Sequence, residues 1–427
     1  MKHRPTPPLH PKPGRPLGVY VHFPFCMHVC PYCDFAVQAA RVIPHEAYAD
    51  AVLAELEARA SRFEGARLVS IYFGGGTPGL WSPSCVARVI RAICGRWPAL
   101  DDAEDLGLAR EVGAPWAVEV TVEVNPARAP LDHLRALYEA GVNRLSVGVQ
   151  SFDDAYLARL GRDHQAAQAR ETLAQAHSAG FRRVSLDLIF GGPGQTLDDL
   201  DRDLAALGEQ PYLDHASLYE MTFEPKTPFG RQLARGLMRE AGEDTMAEMF
   251  ERCARALSAQ GYQHYEIGSH AKPGRWSRHN SLYWQGCEYM GLGVGAHELA
   301  YVDGVILRRE GVGKAKPYLL EPTRARREER VKWGDHLFER FFLGLRTSFG
   351  VSVEDFDRQF GPQGAAYARR ALEKAASLGY AAPAVVCEGA PSYLLPQGER
   401  WGPTPAGMQQ ADALALAVHP DELGVAL

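Results

Sequence analysis

Cys26, Cys30 and Cys33 lie within eight residues of one another in the run FPFCMHVCPYCDF. Thiolates are soft ligands suited to Zn²⁺, Cu(I) or iron–sulfur clusters, and a compact loop can wrap three of them around one object. Three cysteines bind only three irons of a 4Fe–4S cubane. The fourth iron then keeps an open coordination site, which suits reaction chemistry better than electron storage. The alternative is zinc, with His22 or His28 as a fourth ligand. Structural zinc usually pairs two knuckles of this kind, and the sequence offers no second one. Spacing favours the cluster and leaves zinc open.

These thiols need elements to position them. The loop follows an apolar run at residues 17–23, and five more strand candidates come after it, at 68–73, 117–124, 144–149, 183–190 and 215–222. Between them, at 46–63, 84–95, 131–140, 166–179 and 197–207, apolar residues recur at helical spacing. Ser82-Pro83 opens one helix, while Gly141 and Gly180 each follow one. Strands alternating with helices over about 200 residues predict an α/β fold of parallel βα units. An open doubly wound sheet would satisfy that alternation too. The polar and glycine-rich residues decide for a barrel, because they sit at the C-terminal ends of successive strands, where a βα barrel gathers its active site. The cysteine loop follows the first strand and GGGTP the second; Glu123 lies in the third, Gln150 after the fourth and Asp187 in the fifth.

Taken singly, several of these residues have plainer uses. GGGTP is a tight turn, and a lone Asp or Gln at a strand end is more often a cap than a ligand. Asp187 stands apart, since it lies inside the apolar run VSLDLIF, where a carboxylate needs a partner to offset its desolvation. GGPGQT lacks the Lys-Ser/Thr of a P-loop, so nucleoside triphosphate binding is rejected.

The CxxxCxxC loop after a first strand resembles the radical S-adenosylmethionine superfamily. YVHFPFCMHVCPYCDF, FGGGTP, VEVNP, RLSVGVQSF, SLDLIFGGPGQT, EMTFEPKTPF and RHNSLYW occur in order. Together they resemble the oxygen-independent coproporphyrinogen oxidase-like group and, within it, the HemW heme chaperones, over residues 17–360. The resemblance implies a partial (β/α)6 TIM-like barrel followed by a small α+β, winged-helix-like domain. It implies that Cys26, Cys30 and Cys33 ligate a 4Fe–4S cluster, with S-adenosylmethionine completing the open iron. It assigns Gly74, Gly75, Gly76 and Thr77 to the methionyl end of that cofactor. Glu123, Gln150, Arg162 and Asp187 go to its ribose and amino-acid moiety, Met221 to the adenine, and Tyr32 beside the cluster. Tyr20 is expected to face a porphyrin.

HNSLYW has two readings, which the residues leave open: a hydrogen-bonded core corner, or a heme side with His279 at the iron, Asn280 beside it and Tyr283 or Trp284 stacked on the macrocycle. The oxidases of the group extend the cysteine motif to CxxxCxxCxC, and Phe35 takes the place of that further cysteine here. They also carry a longer ordered segment ahead of the first strand. Both features favour a chaperone that hands heme to an acceptor protein, such as a respiratory enzyme, over coproporphyrinogen III oxidase.

The bulk properties bound these readings. A net charge of -6, from 46 basic and 52 acidic residues, argues against a nucleic-acid or anionic-membrane binder. Eight cysteines in 427 residues are no disulfide framework. Cys85, Cys94, Cys253, Cys287 and Cys387 read as small core hydrophobes, and the expected home is the cytoplasm. No apolar run is long enough to span a membrane, though transient membrane association stays open. The expected organisation is a Pro-rich disordered leader at 1–16, the barrel at 17–240, an extension carrying HNSLYW at 241–321, and the C-terminal domain at 322–427. Residues 98–115 read as an insertion, and the charged run 324–332 as a solvated helix face.

Overall fold

The computed structural model describes residues 14–100, 118–384 and 398–425. Most of the leader, all but the first residues of the 98–115 insertion, and Cys387 lie outside the described residues.

Twelve strands form one sheet. The first six are β1 (Pro16–Phe23), β2 (Arg67–Gly75), β3 (Glu119–Val124), β4 (Arg144–Gln150), β5 (Val184–Phe190) and β6 (His215–Glu220). The next six are β7 (Gln263–Glu266), β8 (Ser269–Ala271), β9 (Glu288–Gly293), β10 (His297–Val302), β11 (Val305–Gly311) and β12 (Ala325–Val331). Their order is β12-β11-β10-β9-β1-β2-β3-β4-β5-β6-β8-β7. β1 to β6 pair in parallel, as the alternating helices require. β1 takes β9 as its second neighbour and β6 takes β8, so the ends of the six-stranded arc do not meet. The result is the expected partial barrel.

These strands are buried on both faces, which explains their continuous apolar runs. The outer helices carry ordinary end signals. Thr196 and Asp199 cap helix Leu197–Gly208 reciprocally, at 3.2 and 2.8 Å.

The charged run corrects the expectation of a helix. It forms β12, the edge strand of the main sheet, and places Arg327 opposite Glu310 and Glu329 opposite Arg308. Opposite charges pair across an antiparallel ladder, and charged side chains are a usual protection for an edge. The main sheet therefore runs past the expected boundary at 322. The helix Trp333–Gly344 follows, then Val353–Ser377, kinked at Gly361-Pro362, and a two-stranded ribbon of Ala381–Pro383 with Trp401–Pro403. Leu337, Phe341, Phe356, Phe360 and Tyr367 give this C-terminal α+β unit a core of its own.

Glu55 ties the outer strands to the barrel. From helix His45–Arg59, and fully buried, it accepts from Arg59 at 2.8 Å, Arg309 at 3.1 Å, Tyr318 at 2.8 Å and the Gly293 amide at 2.8 Å. Removing it leaves the buried Arg309 without its carboxylate, while Arg59 keeps Glu298. Glu55→Ala is expected to cost about 3–5 kcal/mol, the usual penalty for breaking a buried pair, read as a lowered denaturant midpoint.

Candidate functional site

The cysteine loop leaves β1 and is pinned from three sides. Its own ends pair, Gln38 N to Pro24 O at 2.8 Å and Ala40 N to Cys26 O at 2.9 Å. The turn after β2 then joins it, Gly76 N donating to Phe23 O at 2.7 Å and Thr77 N to Phe25 O at 3.0 Å. The third anchor is the amide of Phe229, bonded to Pro31 O at 3.1 Å. Arg162 reaches in from the segment after β4, its Nη1 3.3 Å from Cys30 Sγ and its Nη2 2.9 Å from Gly148 O. Burial pushes the Cys26 thiol up and the Cys33 thiol up to about 11.

The three glycines of GGGTP do three different jobs. A side chain on Gly74 would strike the rings of Tyr20 and Tyr72. Gly75 holds φ 110, where a Cβ would also lie 2.5 Å from the His22 ring. Gly76 leaves room for Cys26, whose Sγ would be 2.9 Å from an added Cβ.

The thiols open onto a cavity of about 380 Å³ at the C-terminal ends of the strands. Cys26, Cys30, Cys33, Tyr32, Gly75, Gly76, Thr77, Glu123, Gln150, Arg162, Asp187 and Met221 all line it. Gly74 does not, because its place is behind the wall, under Tyr20. Gln150 adopts φ 64, an uncommon conformation for a residue with a side chain, at a register shift in β4. The buried carboxyls stand close together. Glu123 accepts from Tyr72 at 2.9 Å and from the Gly75 amide at 3.1 Å. Burial and the neighbouring Asp187 raise it to about 7. Asp187, facing Ser146 Oγ at 3.3 Å, is raised by burial to about 6.

A second cavity, of about 1050 Å³, shares Gly75, Glu123, Phe35 and Tyr219 with the first. Tyr20, Asn280, Tyr283 and Trp284 line it, joined by Tyr289 and by Arg340 of the C-terminal unit. His279 does not line it. Its Nδ1 lies 2.8 Å from Ser70 Oγ and its Nε2 2.7 Å from the Tyr283 hydroxyl, and the residue is 1% exposed. Burial lowers its pKa to about 3. Of the two readings of His279, this arrangement favours the core corner: the ring belongs to the wall and both its nitrogens are hydrogen-bonded. The zinc alternative fares no better with His22, whose nitrogens meet Tyr20 at 3.0 Å and Ala36 O at 3.1 Å. His28 is bonded to Gly161 O at 3.1 Å. Among the described residues, no three His, Cys, Asp or Glu side chains are grouped as around a single metal ion.

Comparison with known proteins agrees with this layout. Residues 20–207 match the Radical SAM superfamily, and residues 334–382 match the HemN C-terminal domain. The heme chaperone HemW of Lactococcus lactis is 37% identical over 81% of this chain and 86% of its own length. HemW of Escherichia coli is 36% identical over 69% of this chain and 73% of its own. The chain belongs to the HemW family of radical SAM proteins. A mitochondrial radical S-adenosyl methionine domain-containing protein 1 from mouse is 35% identical over 81% of this chain and 76% of its own. The solved coproporphyrinogen III oxidase HemN of Escherichia coli covers 96% of this chain and 92% of its own, with a TM-score of 0.74. At 21% identity that likeness shows the fold that the HemW family shares with the oxidase.

Sequence reasoning missed Tyr72, Tyr219 and Arg340. Tyr72 and Tyr219 lie at the C-terminal ends of β2 and β6, so extending the strand-end argument to aromatic residues would have found them. Arg340 carried no signal beyond being a charge inside an apolar helix pattern. Gly76→Ala is expected to displace the Cys26 thiol: after anaerobic reconstitution with iron and sulfide, it should retain less than half the parent's iron while its circular dichroism stays unchanged.

Proposed function

We propose that this protein is a heme chaperone, holding heme in the second cavity beside a 4Fe–4S cluster and S-adenosylmethionine in the first, and passing heme to an acceptor protein. Arg340 carries the reading. It is 6% exposed, lines the second cavity and meets no carboxylate among the described residues; its Nη1 donates to Trp284 O at 3.4 Å. A buried cation without a counter-charge costs several kcal/mol, so the Arg340 side of the cavity suits an anionic group of a guest. The aromatic rings around it suit a flat one. Heme joins both properties, with an apolar macrocycle and two carboxylate arms. The names of the bacterial relatives support the same cargo.

The first cavity fits the family's cofactors in its donor chemistry. Three thiols face it, Arg162 keeps a buried Nε without a partner, and Gly76 leaves space against Cys26. Cys26, Cys30 and Cys33 would hold three irons of the cluster. Thr77 and Arg162 would meet the methionyl end of S-adenosylmethionine, Glu123, Gln150 and Asp187 its ammonium and hydroxyl groups, and Met221 its adenine. When bound, cluster and cofactor supply one-electron chemistry. Phe35, 64% exposed between the two cavities, stands where the oxidases carry a further cysteine.

The acceptor would be a heme protein such as a respiratory enzyme, met in the cytoplasm or in passing at a membrane surface. Among the described residues no helix is long and apolar enough to cross a membrane.

Reconstituted protein is expected to bind heme stoichiometrically and to leave coproporphyrinogen III unconverted in the presence of S-adenosylmethionine and reductant. Arg340→Leu should weaken heme binding about tenfold, or about 1.4 kcal/mol. Turnover to protoporphyrinogen would overturn the chaperone reading.

The carboxyl groups give a second prediction. Glu123 and Asp187 take up protons as pH falls through about 7 and about 6, and a neutral carboxyl no longer attracts the cationic cofactor. Affinity for S-adenosylmethionine should therefore drop about tenfold between about pH 8 and about pH 5.5, and Asp187→Asn should flatten that dependence.

A further inference from the structure

We infer that the phenol oxygen of Tyr283, rather than an imidazole nitrogen of His279, ligates the iron of bound heme, with His279 as a positioning residue behind it. The inference rests on the heme-chaperone reading and names the contact that reading leaves open.

Access separates the two residues. His279 sits inside the wall: Tyr72 is stacked on it at 5.1 Å between centroids, and a side chain on Gly18 would lie 3.3 Å from its ring. Presenting a nitrogen to the cavity would break the bonds to both Ser70 and Tyr283. Tyr283 lies one turn further along helix Arg278–Trp284, on the same face, and lines the cavity. Its hydroxyl makes the 2.7 Å hydrogen bond to His279 Nε2 and keeps lone pairs for a metal.

The surroundings suit this role. In the tautomer whose Nδ1–H donates to Ser70 Oγ at 2.8 Å, Nε2 is the ring's acceptor and the phenol donates to it. Glu119 accepts the backbone amides of Arg278 and His279, both at 3.2 Å, which fixes the start of the helix and sets a carboxylate beside the imidazole. Tyrosine is an established axial ligand of heme iron. On binding, the iron–oxygen bond forms as a hydroxide on ferric iron takes the phenol proton and leaves as water, while the buried His279 stays neutral. The iron stays ferric, so no electron is needed.

Tyr20 is the rival, since its hydroxyl lies 3.0 Å from His22 Nδ1 and it lines the same cavity. Burial and the Glu123 carboxylate hold both phenols neutral in the empty cavity, but Glu123 is the first charged neighbour of Tyr20 and only a weaker one of Tyr283. Tyr283 shares its helix with Trp284, whose carbonyl is bonded to Arg340, so phenol and guanidinium serve one wall. Iron and a propionate can be held there together.

The test is a hemin titration of the reconstituted full-length protein, followed by optical and resonance Raman spectra. The parent complex should show phenolate-to-iron charge transfer and an iron–phenolate vibration. Tyr283→Phe should lose both and bind heme about tenfold more weakly, with cluster absorbance and circular dichroism unchanged. His279→Gln, which accepts a hydrogen bond but takes no proton, should keep the vibration at a shifted frequency. Survival of the signature in Tyr283→Phe, its loss in Tyr20→Phe alone, or an imidazole-ligated parent spectrum abolished by His279→Gln would each overturn the inference while leaving a heme binder. A parent that binds no heme would overturn the chaperone reading itself.

Discussion

Two backbone hydrogen bonds hold the top of the barrel together: those that stitch Gly76 and Thr77 to the carbonyls of Phe23 and Phe25. They fix the turn after β2 against the first residues of the cysteine loop, and the space at Gly76 sets Cys26 hard against that turn. The adjacent Gly75 amide donates to Glu123, the carboxyl that faces both cavities. A few consecutive residues therefore fix the first thiol, the shared wall and the turn geometry at once. A side chain at any of the three glycines would disturb this arrangement, although none of the residues of GGGTP carries strong chemistry.

Strand β3 shows how one element carries two carboxyl groups to different ends. Glu119 and Glu123 have the same parity, so both point inward. At the N-terminal end, burial works against ionisation of Glu119, but Arg183 at 3.0 Å, with Arg144 and Arg278, outweighs it and holds the carboxyl below its ordinary value. At the C-terminal end, Glu123 has Asp187 for a neighbour and is raised to about 7. The lower carboxyl is a fixed strut under the HNSLYW helix. The upper one changes its charge near neutrality, on the face where ligands enter. Placing stability at one end of a barrel and response at the other follows the usual division of such folds.

The parallel strands were legible because burial on both faces writes itself as continuous apolar runs, as in VSLDLIF. The strand-end residues were legible because a polar residue inside such a run needs a reason. Three features were not. β9 lies far along the chain yet inserts parallel beside β1, and no local pattern announces that pairing. The Arg/Glu run of β12 pairs across strands with partners that sequence spacing cannot display, so its alternating charges read equally as a helix face. The two readings of His279 stayed open because residue type says nothing of which way its ring is turned; Ser70, distant in sequence, holds it. His279 and Ser281 thus serve the core-corner reading, while Asn280, Tyr283 and Trp284 keep a face on the cavity.

The C-terminal unit makes physical sense in the same terms. In helix Trp333–Gly344, His336, Glu339, Arg340 and Leu343 line the second cavity, and positions three, four and seven apart share one face of a helix. The opposite side of the helix contributes Leu337 and Phe341 to the unit's own core. One helix therefore belongs to two structures, closing its own domain and supplying the missing wall of an open barrel. An arc of six parallel strands cannot enclose a large guest alone, because β1 and β6 do not meet. The domain that follows in sequence places a buried guanidinium on the side that is otherwise open, and Gly286 makes this close approach feasible, since an added Cβ there would lie 2.2 Å from the Arg340 side chain. On the proposed function the helix would serve recognition of a carboxylate guest, which would account for a charged residue in the midst of its apolar stripe.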